Sequence, residues 1–450
     1  MGLLATGNSQ NANLWYINTG TLFDMATGKF RAGVNGSWVL DGGLSSCLGI
    51  TGRAQTYKSG LAGSLIARAM NVHPEAVALV WDTENTVASG AARYDDFVPV
   101  DKPVSDRIEF CNATSMNLTE FYDKFKKMVE EKLTHKKDYI VESPFLDVRT
   151  GKPIKVWIPT FVLVDSFSKA NASQNSNVFE ANDIDSNGMN TLYLKDGMVK
   201  TRIMQDLPTR AARAGIYVIM TAHVGDKIDL DPYAPTPKQM QYMKGSDRMK
   251  NVGSGFEFLT TGLVQTLKAE VLQDSNKKCL YPDQYSTARD VNLVTTIAVR
   301  GKNNSSGSDV QYVLSQNQGL LNTVTNFHFL RNNKNYGLDV EGNNQKFTPK
   351  LLPDVKFTRN TLREVSGGSY RVRRAIELTA QLCFIQNMWS TFRMPECIRM
   401  PIEQFAELMT HSEKCGVDRV LESTGVWSTS KQDRERLTIL DVLNILNAKK

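Results

Sequence analysis

Four groups of side chains suited to phosphate chemistry follow one another along this 450-residue chain. The first is Gly52-Arg53-Ala54-Gln55-Thr56-Tyr57-Lys58-Ser59, which leaves the apolar run Leu48-Gly49-Ile50 and opens onto a helical stretch from Gly60 to Met70. A loop of inward-pointing amides ending in a Lys and a hydroxyl at a helix start can cradle phosphates. The Lys then meets the β- and γ-phosphates, and the hydroxyl faces Mg²⁺. The pattern G-x-x-x-x-G-K-[ST] asks for Gly where this chain has Tyr57, so the match is incomplete, and a plain strand–loop–helix with Lys58 as a surface charge would carry the same residues. The second group is Asp82-Thr83-Glu84, at the end of Val77-Ala78-Leu79-Val80-Trp81. A carboxylate at the C-terminal tip of a strand can polarise a water for attack on phosphate. The third is Asp165-Ser166 after Phe161-Val162-Leu163-Val164, an Asp placed to hold the hydration shell of Mg²⁺. The fourth is Thr221-Ala222-His223 after Ile216-Tyr217-Val218-Ile219-Met220. Each alone has a plain explanation, because Asp, Ser and Glu end many strands and a single His is more often structural. Taken in the order Lys-Ser, Glu, Asp-Ser, His, they predict a P-loop ATPase using ATP and Mg²⁺.

From about Trp38 to Gly319 the chain resembles the RecA-type recombinases, and within them the UvsX recombinases of T-even-like phages. Those phage proteins also place an aromatic before the P-loop Lys, as Tyr57 stands here. The resemblance implies that Glu84 is the catalytic glutamate and that Val162-Leu163-Val164-Asp165-Ser166 is the Walker B strand. It implies that His223 senses the γ-phosphate, a position where RecA has Gln, and leads into a DNA-binding loop. Tyr94 is a candidate for stacking on adenine, at a longer spacing from Glu84 than in the relatives. Val291 to Val299 ends in Arg300-Gly301-Lys302, and the polar turn Asn303–Ser308 separates it from the returning strand Val310–Leu314. The same residues would form a solvated basic hairpin tip. In the family, paired cations at this strand end reach the neighbouring subunit's γ-phosphate, where positive charge stabilises the transition state. The following Gln318-Gly319-Leu320-Leu321 also fits the family.

Two long polar segments leave the same strand ends. Phe167 to Lys200 is rich in Asn, Ser and Asp. Val224 to Phe256 carries Lys227, Lys238, Lys244, Arg248 and Lys250 among Tyr233, Tyr242 and Met243, and closes at Gly253-Ser254-Gly255. Cations interleaved with aromatics suit single-stranded DNA, the cations tracking phosphates and the flat rings stacking on bases. Both segments stand where the family has its DNA-binding loops; the plain alternative is two surface insertions, which weighs more for the first segment because it is not strongly basic.

Composition sets the outer limits. A hydrophobic content of 41% and a charged content of 22% are those of an ordinary globular protein, and a net charge of +6 says little about nucleic acid by itself. No run approaches the ~20 apolar residues of a membrane span, and the first residues show no signal segment. The six cysteines form no C-x-x-C pair and no zinc spacing, so reduced thiols in a cytoplasmic protein are expected.

The chain is long enough for two domains and an arm. We expect an α/β protein with a RecA-like P-loop ATPase core and a mostly parallel central sheet. A short N-terminal arm (1–35) would be a subunit-docking segment, 36–330 the core, with loops at about 167–200 and 224–256, and 331–450 a mostly helical C-terminal domain. Helices are expected at Leu118–Leu133, Leu207–Ala214, Arg371–Trp389, Pro401–Thr410 and Arg434–Asn447. The function implied is a DNA-dependent ATPase that forms filaments on single-stranded DNA. It would pair homologous duplex DNA and exchange strands in recombination, repair and replication, working in the host cytoplasm with phage single-strand-binding and mediator proteins. A hexameric DnaB-like replicative helicase and a KaiC-like ATPase that does not bind nucleic acid are the alternatives. With only about 35 residues before the core, where helicases usually carry a sizeable domain, the recombinase is favoured.

Overall fold

The computed structural model describes residues 15–170, 188–226, 240–244, 247–252, 255–301, 306–343, 345–388 and 400–448, excluding the side chains of 188–195 and 247. In chain order the first elements are α1 (Leu22–Thr27), β1 (Lys29–Ala32), β2 (Trp38–Asp41), β3 (Cys47–Gly52), α2 (Lys58–Val72), β4 (Val77–Asp82), β5 (Ile108–Asn112) and α3 (Leu118–Thr134). A hairpin, β6 (Ile140–Asp147) and β7 (Lys152–Trp157), precedes β8 (Thr160–Asp165), α4 (Gly188–Ala214), β9 (Ile216–Asp226), β10 (Asp247–Met249) and α5 (Gly255–Leu259). Then come β11 (Gly262–Val271), β12 (Val291–Arg300), β13 (Asp309–Ser315), β14 (Gly319–Leu320) and α6 (Asn322–Asn332). The C-terminal part holds β15 (Leu338–Glu341), β16 (Lys346–Pro349), α7 (Leu362–Gly368), α8 (Tyr370–Asn387), α9 (Ile402–Thr410), α10 (Val417–Glu422) and α11 (Ile439–Asn447).

The fold is α/β, built on a mixed sheet of ten strands in the order β14-β13-β12-β11-β3-β9-β8-β4-β5, with β10 added to β9. From β11 to β5 every neighbouring pair is parallel, whereas β12, β13, β14 and β10 join antiparallel. Parallel strands need helical cover on both faces, which is why the inner strands β4 and β8 are apolar runs, whereas the edge strand β5 carries Glu109 and Asn112. Alternation along those runs divides the core. Val80, Leu163 and Ile219 face α2 with Leu61, Leu65 and Ile66. Leu79, Trp81, Val162, Val164, Val218 and Met220 face Phe121 and Phe125 of α3 and Leu207 of α4. At 25 cal/mol per Å², each such side chain contributes about 1.5–3 kcal/mol on burial. Among the described residues no helix is long and apolar enough to cross a membrane.

Several expected boundaries change. The terminal helix begins at Ile439, not Arg434, because Thr438 and Asp441 form a capping box that ends the preceding extended segment. Leu437 keeps its core position without being helical. The C-terminal segment, expected to be mostly helical from Arg331 onward, also contains strands, since β15 and β16 form a hairpin within it. Leu22, Met25, Phe30 and Leu40 pack into the same core as α8, α9 and α11 of this chain, and the Trp38 amide donates to Asp441 Oδ1 at 2.7 Å.

Candidate active site

The C-terminal ends of the adjacent strands β3, β9, β8 and β4 bring the four sequence groups together. Gly52 is paired with His223, Val164 with Met220 and Asp82 with Asp165. The loop after β3 begins at Gly52, where a Cβ would stand 1.9 Å from Thr266 Oγ1, so the approach of β11 admits only Gly. Thr56 Oγ1 donates to Arg53 O at 2.8 Å and pairs with Thr266 Oγ1 at 2.6 Å, fixing the bend from below. Arg53, Ala54 and Gln55 are exposed at its tip, and Gln55 and Tyr57 both have left-handed backbones, with φ of 60° and 62°. Tyr57 therefore keeps the conformation that the motif's Gly would supply, at a cost of about 1–2 kcal/mol, and its ring packs against the core beside α2. Gly60 lies in the first turn of α2.

Lys58 opens α2 and is 6% exposed. Its Nζ donates to Arg53 O at 2.8 Å, the one acceptor it has among the described residues. Burial pulls the amine below the usual lysine range, while Asp165 and Glu84 pull it back up. Ser59 Oγ donates to Asp165 Oδ1 at 3.0 Å, and the Thr221 hydroxyl donates to the same oxygen. Burial raises the Asp165 carboxyl above the usual range, and those two hydroxyls oppose the rise.

Asp82 does not face the loop. Its carboxylate accepts the amides of Glu84, Thr86 and Val87, and so shapes the turn that presents Glu84. Thr83 ties this turn to β8, its amide donating to Asp165 O at 2.7 Å and its hydroxyl to Ser166 O at 2.8 Å. Glu84 Oε1 then lies 2.7 Å from His223 Nε2, with both side chains a little over a quarter exposed (28% and 29%). The His223 amide donates to Ser168 Oγ at 3.0 Å, and its carbonyl accepts from the Lys250 amide at 2.9 Å. Arg53 Nη2 donates to Asp226 Oδ1 at 2.7 Å, linking the β3 loop to the end of β9.

Other expected residues fall elsewhere. Tyr94 is corrected as an adenine platform. It is 4% exposed, edge-on to Phe97 in the core under α2, and has no free face for a base. Arg300 ends β12 and its Nη1 donates to the carbonyls of Glu257 and Phe258 in α5. Lys302 lies outside the described residues, as do Lys227, Lys238 and Gly253.

Both expected loops begin or end differently. Phe167 and Ala170 are buried, and Phe167 stacks on Phe256 at 5.9 Å. Gly188 to Lys200 is helical, part of α4, which leaves 171–187 outside the described residues. Val224 to Asp226 continues β9 and pairs with β10, so Arg248 stands opposite Gly225 within a ladder. Lys250 lies over Gly225, where a Cβ would meet its Nζ at 2.5 Å. Lys244 is exposed, its amide bonded to Gln265 Oε1 at 2.9 Å. Gly255 opens α5 against Met204.

Sequence reasoning gave no part to Ser168, to Thr266 or to the Arg53–Asp226 pair, and none to the Thr221 hydroxyl beyond its place beside His223. Thr221 alone had a signal, since it stands at a strand tip two residues before His223.

Among the described residues no cluster of three or more His, Cys, Asp or Glu could hold a metal by itself. A cation here would have only the Ser59 hydroxyl and one or two carboxylates, the protein share of a Mg²⁺ completed by water and phosphate oxygens. Backbone amides at the loop, unspent N–H groups on Lys58 and a half-open carboxylate at Glu84 fit a nucleoside triphosphate and an attacking water. The chain matches no protein-family model and no curated protein.

Proposed function

We propose that this chain is an ATP-dependent recombinase of the RecA type, which polymerises on single-stranded DNA and promotes homologous pairing and strand exchange. The observation that carries the reading is the 2.7 Å contact between Glu84 and His223 beside the Ser59–Asp165 pair. It supports a site in which the group that activates water touches the group leading into the β9–β10 hairpin. Lys58 would turn from Arg53 O to the β- and γ-phosphates, and Ser59 and Asp165 would hold Mg²⁺, which neutralises phosphate charge when bound. Glu84 would accept the proton of the attacking water. His223 would exchange Glu84 for the γ-phosphate, and the Ser168 and Lys250 contacts would carry that change to the hairpin. Arg300 and Lys302 would act on the neighbouring subunit's nucleotide.

Electron micrographs with single-stranded DNA and a non-hydrolysable ATP analogue test this directly. Open helical filaments are expected. Closed rings would assign the core to a hexameric helicase, and assembly indifferent to DNA would assign it to a KaiC-like ATPase.

A further inference from the structure

At the far end of α2 from Lys58, a cleft of about 450 Å³ lies between the core and the C-terminal helices. That volume is within the range of small-molecule sites, about 300–1,000 Å³. Six cationic side chains line it (Arg68, Arg363, Arg373, Arg374, Lys431, Arg434), against three acidic ones (Asp101, Glu377, Asp433). Three of the cations already have carboxylate partners. Arg363 pairs with Asp283 and Asp290, Arg374 with Glu377 at 3.1 Å, and Arg434 with Glu422 at 3.1 Å.

Arg68, Arg373 and Lys431 have no carboxylate within ion-pair distance among the described residues. Arg68 Nη2 donates to Leu320 O at 2.8 Å, and its Nε is buried with no hydrogen-bond partner among the described residues. Arg373 Nη1 donates to the carbonyls of Ser366 and Gly367 at 2.9 and 3.1 Å. Burial weighs most against the charge on Arg68, Asp101 of the same cleft supports it, and Arg373 is close enough to oppose it. Both are partly buried, whereas Asp101 and Asp433 are exposed at the rim. The hydrogen bonds of the two guanidiniums go to separate main-chain carbonyls, Asp101 offsets part of the cost of holding them near each other, and an anion between them would offset more. Guanidinium forks match phosphate oxygens in pairs.

We propose that this cleft binds a small molecule bearing a di- or polyphosphate, held between Arg68 and Arg373 with Lys431 at the mouth. The proposal stands apart from the site at Lys58, which lies at the opposite end of α2.

Calorimetric titration of the full-length Lys58→Ala protein with pyrophosphate is the test, since that variant lacks the only lysine of the β3 loop. Saturable binding is expected, weakened about tenfold by Arg373→Gln and further by adding Arg68→Gln. Should the Arg68→Gln protein fail to fold, Arg373→Gln carries the test alone, with thermal melting without pyrophosphate as the folding control. An Arg373→Gln protein that melts like its parent and binds pyrophosphate with unchanged Kd overturns the site. So does the absence of saturable binding to the Lys58→Ala protein.

Discussion

Lys58 and Lys132 are both buried lysines, 6% and 4% exposed, and they sit at opposite ends of the parallel strands. Lys132 Nζ, at the ends where β8 and β9 begin, donates to Ile158 O at 2.7 Å, Thr160 Oγ1 at 3.1 Å and Gly215 O at 3.4 Å. Its three N–H groups are spent, and the rings of Tyr139 and Trp157 lie against it. Lys58 has one main-chain acceptor and two nearby carboxylates that are themselves bonded to other groups. Equal burial therefore hides unequal states. At one end the hydrogen bonds of the amine are all taken up by the fold, and at the other the amine is held with capacity to spare. Unspent hydrogen-bonding capacity, not burial, is what sets apart the end proposed to receive a ligand.

Exchanging each lysine should break the comparison most sharply. Lys58→Ala should lower ATP turnover by at least about 10³-fold, the scale of losing one preorganised charge on the transition state, with little change in unfolding midpoint. Equal turnover in parent and variant would remove Lys58 from the site. Glu84→Gln should keep ATP binding and lower turnover by about 10²-fold or more, because the amide cannot accept the water's proton. Lys132→Ala should do the reverse, leaving turnover intact and destabilising by about 2 kcal/mol as the carbonyls of Ile158 and Gly215 lose their donor. Urea titrations and ATPase rates on the same preparations read out all three.

The two ends were not equally legible in the sequence. The apolar runs Val77–Trp81 and Phe161–Val164 lie inside strands β4 and β8 with nearly the same bounds, because strands buried on both faces leave that mark, and Val291–Val299, expected as a hairpin strand, lies inside β12. The tips of β3, β4, β8 and β9 named Lys58, Ser59, Glu84, Asp165 and His223. What pairs them did not appear, since Glu84 and His223 meet across 139 residues through sheet order alone. Lys132 read as one charge on an amphipathic helix, with nothing local to say that its amine enters the core. Gly188–Lys200 looked like loop because the buried Lys200 and its Asp196 partner at 3.0 Å resemble solvated polar residues. Leu437 fitted a helical period, yet the cap at Thr438 starts the helix after it.

The pH dependence of stability should sharpen the contrast further. Burial pushes the Lys132 amine down to about 7, against 10.5 as its ordinary value. Between those pH values the unfolded chain binds a proton that the folded chain has released, so stability rises with pH across that window, by up to about 1.4 kcal/mol per unit. The parent should therefore gain stability relative to Lys132→Met as pH is raised from 7 to 9, and the gain should vanish below 7. Parallel stability curves for the two proteins over that range would mean that Lys132 stays charged in the core, balanced by its three oxygens.

The smallest effect concerns the backbone. Beside each lysine the chain takes a left-handed turn, at Gly215 with φ of 61° and at Tyr57 with φ of 62°. At Gly215 a Cβ would stand 2.1 Å from Trp157 Cβ, so the closed end can use only Gly. Position 57 tolerates a side chain because its ring has room against the core, and the strain remains in the loop proposed to receive phosphate. Replacing Tyr57 removes the ring's packing whichever small residue is chosen, so Tyr57→Ala against Tyr57→Gly isolates the backbone. Ala keeps the left-handed cost and Gly does not, while Gly gives the unfolded chain more freedom. The first effect is the larger, and Tyr57→Gly should be the more stable of the two by about 1 kcal/mol in urea titrations. Equal midpoints would mean that the loop changes conformation once the ring is gone, and that Tyr57 holds the turn rather than merely enduring it.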